Sequence, residues 1–82
     1  MNKQAFLNEI EEIFELDKNV LTGSETLEEL GEWDSLAVMG FIAMVDENFE
    51  VILEAERIMS SVTVDDLIAL VSVYLEKEQT AP

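Results

Sequence analysis

The chain has 82 residues and contains no cysteine and no histidine. Without cysteine there is no disulfide framework and no thiol from the chain itself, so any thioester chemistry has to import its sulfur. Without histidine the usual general base and the usual zinc ligand are both missing. Basic residues are scarce, four against 19 acidic ones, for a formal charge of −15. That balance disfavours nucleic acid and anionic membranes, because long-range repulsion opposes encounter, and it favours basic protein surfaces. No apolar run approaches the ~20 residues of a membrane span. No basic-then-apolar leader precedes the first helical pattern, so cytoplasm is the expected location. Repeats and low-complexity segments are also missing.

What is present is enough for a fold. Apolar residues make up 49% of the chain, so folding needs neither metal nor disulfide. The length fits one domain, residues 1–82. A chain this short buries only roughly 60–65% of its unfolded surface, so a modest core is expected.

Hydrophobic periodicity predicts a first helix from Lys3 to Leu16, with Asn2 as its cap. Phe6, Ile10, Ile13 and Phe14 share its apolar face, while Glu9, Glu11, Glu12 and Glu15 lie largely off it. A long connection follows over 17–32. Thr22-Gly23-Ser24 marks a turn in it, Leu27 and Leu30 tuck inward, and Thr26 to Leu30 reads as one helical turn. A connection this long in a small domain is usually functional or partly structured.

A central helix runs from Ser35 to Phe49 or Glu50, with Val38, Phe41, Ile42, Val45 and Phe49 as its apolar face. Val51, Ile52 and Leu53 form an apolar link with no strand to pair with. Glu54 to Met59 reads as a short, weak helix that Ser60-Ser61 breaks. Thr63 caps the last helix, with Asp66 at the capping-box position. Val64, Leu67, Ile68, Val71 and Leu75 form that helix's buried face, and residues 78–82 are expected to fray. The expected fold is all-α: a small four-helix bundle with three longer helices, one short third helix and a long loop after the first.

Asp34 is a good N-cap, because its carboxylate can accept the free N–H groups of the first turn. Ser35 is then the first residue inside the central helix, where unpaired N–H groups and the helix dipole favour an attached anion. Taken alone, a first-turn serine is common and needs no function. Here Leu30-Gly31 and Asp34-Ser35-Leu36 occur together at the head of an amphipathic helix, mid-chain in a short acidic protein. This stretch resembles the attachment motif of acyl carrier proteins and their peptidyl relatives.

The resemblance implies the bundle fold and a covalent 4′-phosphopantetheine on Ser35. Asp34 would cap and be recognised, and Leu36 would offer an exposed apolar contact. It further implies a non-catalytic carrier of acyl thioesters, in fatty-acid, polyketide or related specialised biosynthesis. A phosphopantetheinyl transferase would modify it from coenzyme A, supplying the magnesium, and acyl-loading and acyl-processing enzymes would be its partners. A monomer is expected. A peptidyl or aminoacyl carrier is the alternative within the family. An acidic helical interaction module that is never modified is the alternative outside it.

Trp33 precedes the cap. It reads first as a hydrophobic staple onto Val38, and second as an aromatic contact for the arm or a partner. The face opposite the core stripe carries Leu36, Gly40, Ala43 and Glu47, with Ala37, Met39 and Met44 on its flanks. The candidate partner contacts are Trp33, Leu36, Ala37, Met39, Gly40, Ala43 and Glu47. Fatty-acid carriers usually place acids where Ala37 and Gly40 stand, and here acids return only at Asp46, Glu47 and Glu50. No metal ligand set is expected. Asp17, Asn19 and Glu28 fall at EF-hand positions one, three and twelve, but Leu21 at five and Gly23 at seven break the pattern.

Overall fold

The computed structural model describes residues 1–75. Helix α1 spans Lys3–Ile13 and starts on Asn2, whose side chain accepts from the Ala5 N–H at 2.8 Å. It stops sooner than the apolar pattern suggests. Leu16 N–H bonds to Glu11 C=O at 2.8 Å, Glu15 N–H bonds to Glu12 C=O at 3.1 Å, and Glu15 lies at φ +60°. This is a Schellman ending, which glycine ordinarily provides. A glutamate in the left-handed position gives no composition signal, so the stop was illegible.

The connection after α1 folds back over it and then forms α2, Leu27–Leu30, on the Thr26 cap. Helix α3 spans Ser35–Phe49, α4 spans Ala55–Met59 and α5 spans Val64–Val71, continued by a 3₁₀ turn over Ser72–Tyr74. Glu54 makes no side-chain cap bond at the start of α4, which fits its short length. The described residues form a small all-α bundle without strands. The fraying expected at 78–82 lies outside the described residues.

The core joins Phe6, Leu7 and Ile10 of α1 to Val38, Phe41, Met44 and Val45 of α3 and Val64, Leu67 and Val71 of α5, and Leu21, Leu27, Leu53 and Ile58 complete it. Phe6 meets Phe41 edge-on at 5.8 Å. Assignments from periodicity on α3 and α1 need correction. Met44 is buried rather than on the flank, because α3 packs against both α1 and α4 and so needs a wider apolar stripe. Ile42 and Phe49 are only half-buried, at the edge of that stripe.

The second correction concerns Glu11, which is 1% exposed rather than off the core face. Its carboxylate accepts the backbone N–H groups of Asn19, Val20 and Leu21 at 3.0, 2.9 and 2.9 Å, and the Asn8 amide at 2.7 Å. An irregular segment laid on the core must find acceptors for its N–H groups, and Glu11 supplies them.

The rest of the connection is tied to the entry of α5. Thr26 and Thr63 form an antiparallel bridge. Leu27 N–H donates to Val62 C=O at 2.8 Å, Val64 N–H to Glu25 C=O at 3.0 Å, and Asp65 N–H to Gly23 C=O at 2.8 Å. Both threonines head complete capping boxes, with Glu29 and Asp66 as the returning acids. Gly23 sits at φ +121°, a conformation that strains any residue with a Cβ, and an added Cβ would also have to displace the exposed Asp65 carboxylate.

Candidate functional site

The site is the junction where α2 hands over to α3. Gly31, at φ +155°, ends α2, and the chain then turns through Glu32 and Trp33 to the cap. Asp34 Oδ1 accepts from the Ala37 N–H at 3.0 Å, and its carbonyl accepts from Val38 at 3.0 Å. The first turn of α3 is thereby fixed, with Ser35 exposed at its first position. Each other serine is engaged. Ser24 Oγ shares a hydrogen bond with Thr22, Ser60 and Ser61 donate to Arg57 C=O, and Ser72 donates to Ala69 C=O. The Ser35 hydroxyl has no such partner among the described residues. An exposed hydroxyl at a capped helix N-terminus suits attachment of a phosphodiester, whose charge the helix end favours.

The face expected to meet partners is on the surface. Leu36 is 75% and Met39 64% exposed. Gly40, Ala43 and Glu47 are exposed and Ala37 is half-buried. Beside Ser35 an open depression of about 470 Å³ has Ile13, Leu36, Ala37 and Gly40 in its floor and carboxylates from Glu15, Glu32 and Asp34 on its lining.

Trp33 is half-buried. Its ring stacks on Phe14 at 5.6 Å and meets Phe41 edge-on at 6.4 Å, so it ties α1 and α3 together at the head of the site. Its Nε1–H is covered and has no hydrogen-bond partner among the described residues. A buried donor without an acceptor costs about 1–3 kcal/mol. The indole also forms part of a cleft of about 440 Å³ between α2 and the α4–α5 turn. Thr26, Leu27 and Glu28 contribute to the cleft from the α2 side, and Met59, Ser60, Ser61 and Val62 from the other. Nothing in the sequence pattern pointed to this cleft, because its two sides are some thirty residues apart and meet only through the Thr26–Thr63 bridge.

The connection that carries the partial EF-hand spacing is organised by its own side chains. Asn19 Oδ1 accepts from the Gln4 and Asn8 amides, each at 3.1 Å. Glu25 accepts the Gly23 N–H at 2.8 Å and the Thr22 N–H at 2.9 Å. Burial alone would raise the pKa of Glu11, but the N–H groups of Leu21, Asn8, Asn19 and Val20 outweigh it and hold the carboxyl below its ordinary 4.5. In Glu25, too, burial pushes the pKa upward, but the Gly23 and Thr22 donors prevail and lower it. Glu11 was legible in principle. It stands four residues after Leu7 and three before Phe14, on the inward face.

Residues 4–71 match the family model described as the phosphopantetheine attachment site. Neither a curated protein nor a solved structure matches the chain significantly. The match covers most of the chain, and the residues at the head of α3 fit the group: the chain belongs to the phosphopantetheine-attachment family, a carrier whose covalent cofactor is 4′-phosphopantetheine.

Proposed function

We propose that Ser35 is the residue to which 4′-phosphopantetheine is attached, and that the chain is an acyl carrier protein. The observation that carries this is the exposed, unengaged Ser35 hydroxyl at the first position of α3, behind the Asp34 cap. A phosphopantetheinyl transferase delivers the group from coenzyme A. The serine oxygen forms the new phosphoester bond, the nucleotide part of coenzyme A leaves, and the transferase takes the hydroxyl proton. Asp34 keeps the acceptor at a fixed place on the rim. The arm supplies the thiol that the chain lacks, and cargo rides on it as a thioester.

The chain itself is a shuttle rather than a catalyst. It has no histidine or cysteine to act as base or nucleophile, and tethering alone raises the cargo's concentration at a docked enzyme. Leu36 and Met39 offer exposed apolar contacts on a front of α3 whose own first turns carry no acid, with Glu15, Glu32 and Asp34 bordering it from outside the helix. This surface suits a dedicated partner with an apolar patch better than an enzyme that presents basic residues. Intact mass after co-expression with a broad-specificity transferase tests the reading. The chain gains roughly 340 Da, the mass of the arm, and Ser35→Ala gains nothing.

A further inference from the structure

We propose that the arm attached at Ser35 folds back into the cleft beside Trp33, where one of its amide carbonyl oxygens accepts a hydrogen bond from Trp33 Nε1. The inference rests on Ser35 being the attachment residue. Trp33 is then a positioning residue that gives the arm a resting place when no enzyme is docked.

Three observations meet at this place. Trp33 Nε1–H is covered and has no acceptor among the described residues, whereas buried indole N–H groups ordinarily find one. The same indole helps form a cleft of about 440 Å³, within the roughly 300–1,000 Å³ common for small-molecule sites. Trp33 also precedes Ser35 by two residues, a backbone span of at most about 7 Å. An arm anchored there is held at high local concentration, so a single hydrogen bond can matter.

The chemistry of the cleft suits the arm, which alternates amides with short apolar segments. Leu27, Met59 and Val62 offer apolar surface. Ser60 and Ser61 donate their hydroxyl protons to Arg57 C=O and keep lone pairs that can accept an amide N–H. The depression on the front of α3 is the other place within reach, but three carboxylates, Glu15, Glu32 and Asp34, line it against the single Glu28 of the Trp33 cleft. Carboxylates offer the arm no donors and repel its phosphodiester. Because Nε1 itself is covered, reaching it from the cleft needs a lining side chain to shift aside. Met59 is unbranched and 62% exposed, so it can.

Trp33 is the only tryptophan, so a ¹⁵N-labelled sample shows one indole N–H signal. The test records that signal in the unmodified and the phosphopantetheinylated full chain, after intact mass has confirmed the gain. The expected result is a downfield move of the indole proton, with cross-relaxation between it and protons of the arm. Trp33→Phe, modified to the same extent, should lose the contacts between the arm and Val62. An indole signal that stays in place after the mass gain overturns the inference and leaves Ser35 as the attachment residue. A signal that moves without cross-relaxation to the arm also overturns it, since phosphorylation nearby accounts for the move. Absence of the mass gain overturns both readings at once.

Discussion

The carboxylate of Glu11 accepts the backbone N–H of Leu21 at 2.9 Å, across a separation of ten residues. With Val20 and Asn19 as further donors, one side chain of α1 sets the path of the connection that leads to α3. Glu11→Gln keeps the shape but turns an N–H group toward N–H donors. A loss of about 1–3 kcal/mol is expected, since at least one buried donor is left without an acceptor. Urea denaturation of the two proteins measures it, and equal midpoints would contradict the role given to Glu11.

The same residue predicts a pH dependence. The pKa values of Glu11 and Glu25 are lowered on folding from an ordinary 4.5, and the Val62 and Thr63 N–H groups lower that of Asp66 from 3.8. A carboxyl whose folded pKa lies below its unfolded pKa contributes stability above the unfolded value. That contribution disappears as pH falls through the folded value. Melting temperature should therefore drop as pH is lowered below about 4.5, and the drop should be smaller in Glu11→Gln. Parallel curves for the two proteins would show that other groups carry the acid response.

Self-repulsion acts in the opposite sense. With a formal charge of −15, the fold is under strain at neutral pH and low ionic strength. Moderate salt or millimolar magnesium should raise the melting temperature by screening or binding. A flat melting temperature across a salt titration would contradict this.

Gly23→Ala should destabilise the protein by more than 1 kcal/mol, because φ +121° is closed to alanine and the new methyl group would meet the Asp65 side chain. Its effect should appear as loss of protection of the Asp65 amide in hydrogen exchange, since that N–H bonds to Gly23 C=O. Full protection in the variant would refute the argument.

Gly40 predicts partner choice. A Cβ added there meets nothing within 4 Å, so Gly40→Glu is sterically free and gains ~1 kcal/mol of helix propensity. It also places an acid at the centre of the exposed front of α3. Once modified, the variant should react faster than wild type with a fatty-acid ketosynthase, because rim charges set on-rate and specificity. Equal rates in a paired kinetic comparison would remove the significance of the missing acids.

How much of this was legible in the sequence varies with the kind of signal. Caps and periods were. Asp34 and Thr63 stand where the pattern placed them, and α3 has the predicted limits. The family resemblance was readable because the residues that carry it, Leu30 to Leu36, are local. Signals carried by pairings across the chain were not. The spacing of Glu11 to Leu7 and Phe14 put it on the inward face, but nothing local told that the connection would supply its N–H partners. The Thr26–Thr63 bridge, and the cleft it creates beside Trp33, join segments that are far apart in sequence. The end of α1 escaped because Glu15 adopts a conformation that the sequence usually marks with glycine.

The central claim is that one hydroxyl, at the head of α3, takes the arm. The most direct measurement is intact mass with peptide-level localisation, on wild type and Ser35→Ala, after treatment with a transferase and coenzyme A. Wild type should gain roughly 340 Da on the peptide that contains Ser35. Ser35→Ala should gain nothing while keeping its helical circular-dichroism spectrum, because Asp34 still caps α3. A mass gain that survives in the folded Ser35→Ala protein, or one that maps to another residue, would contradict the account.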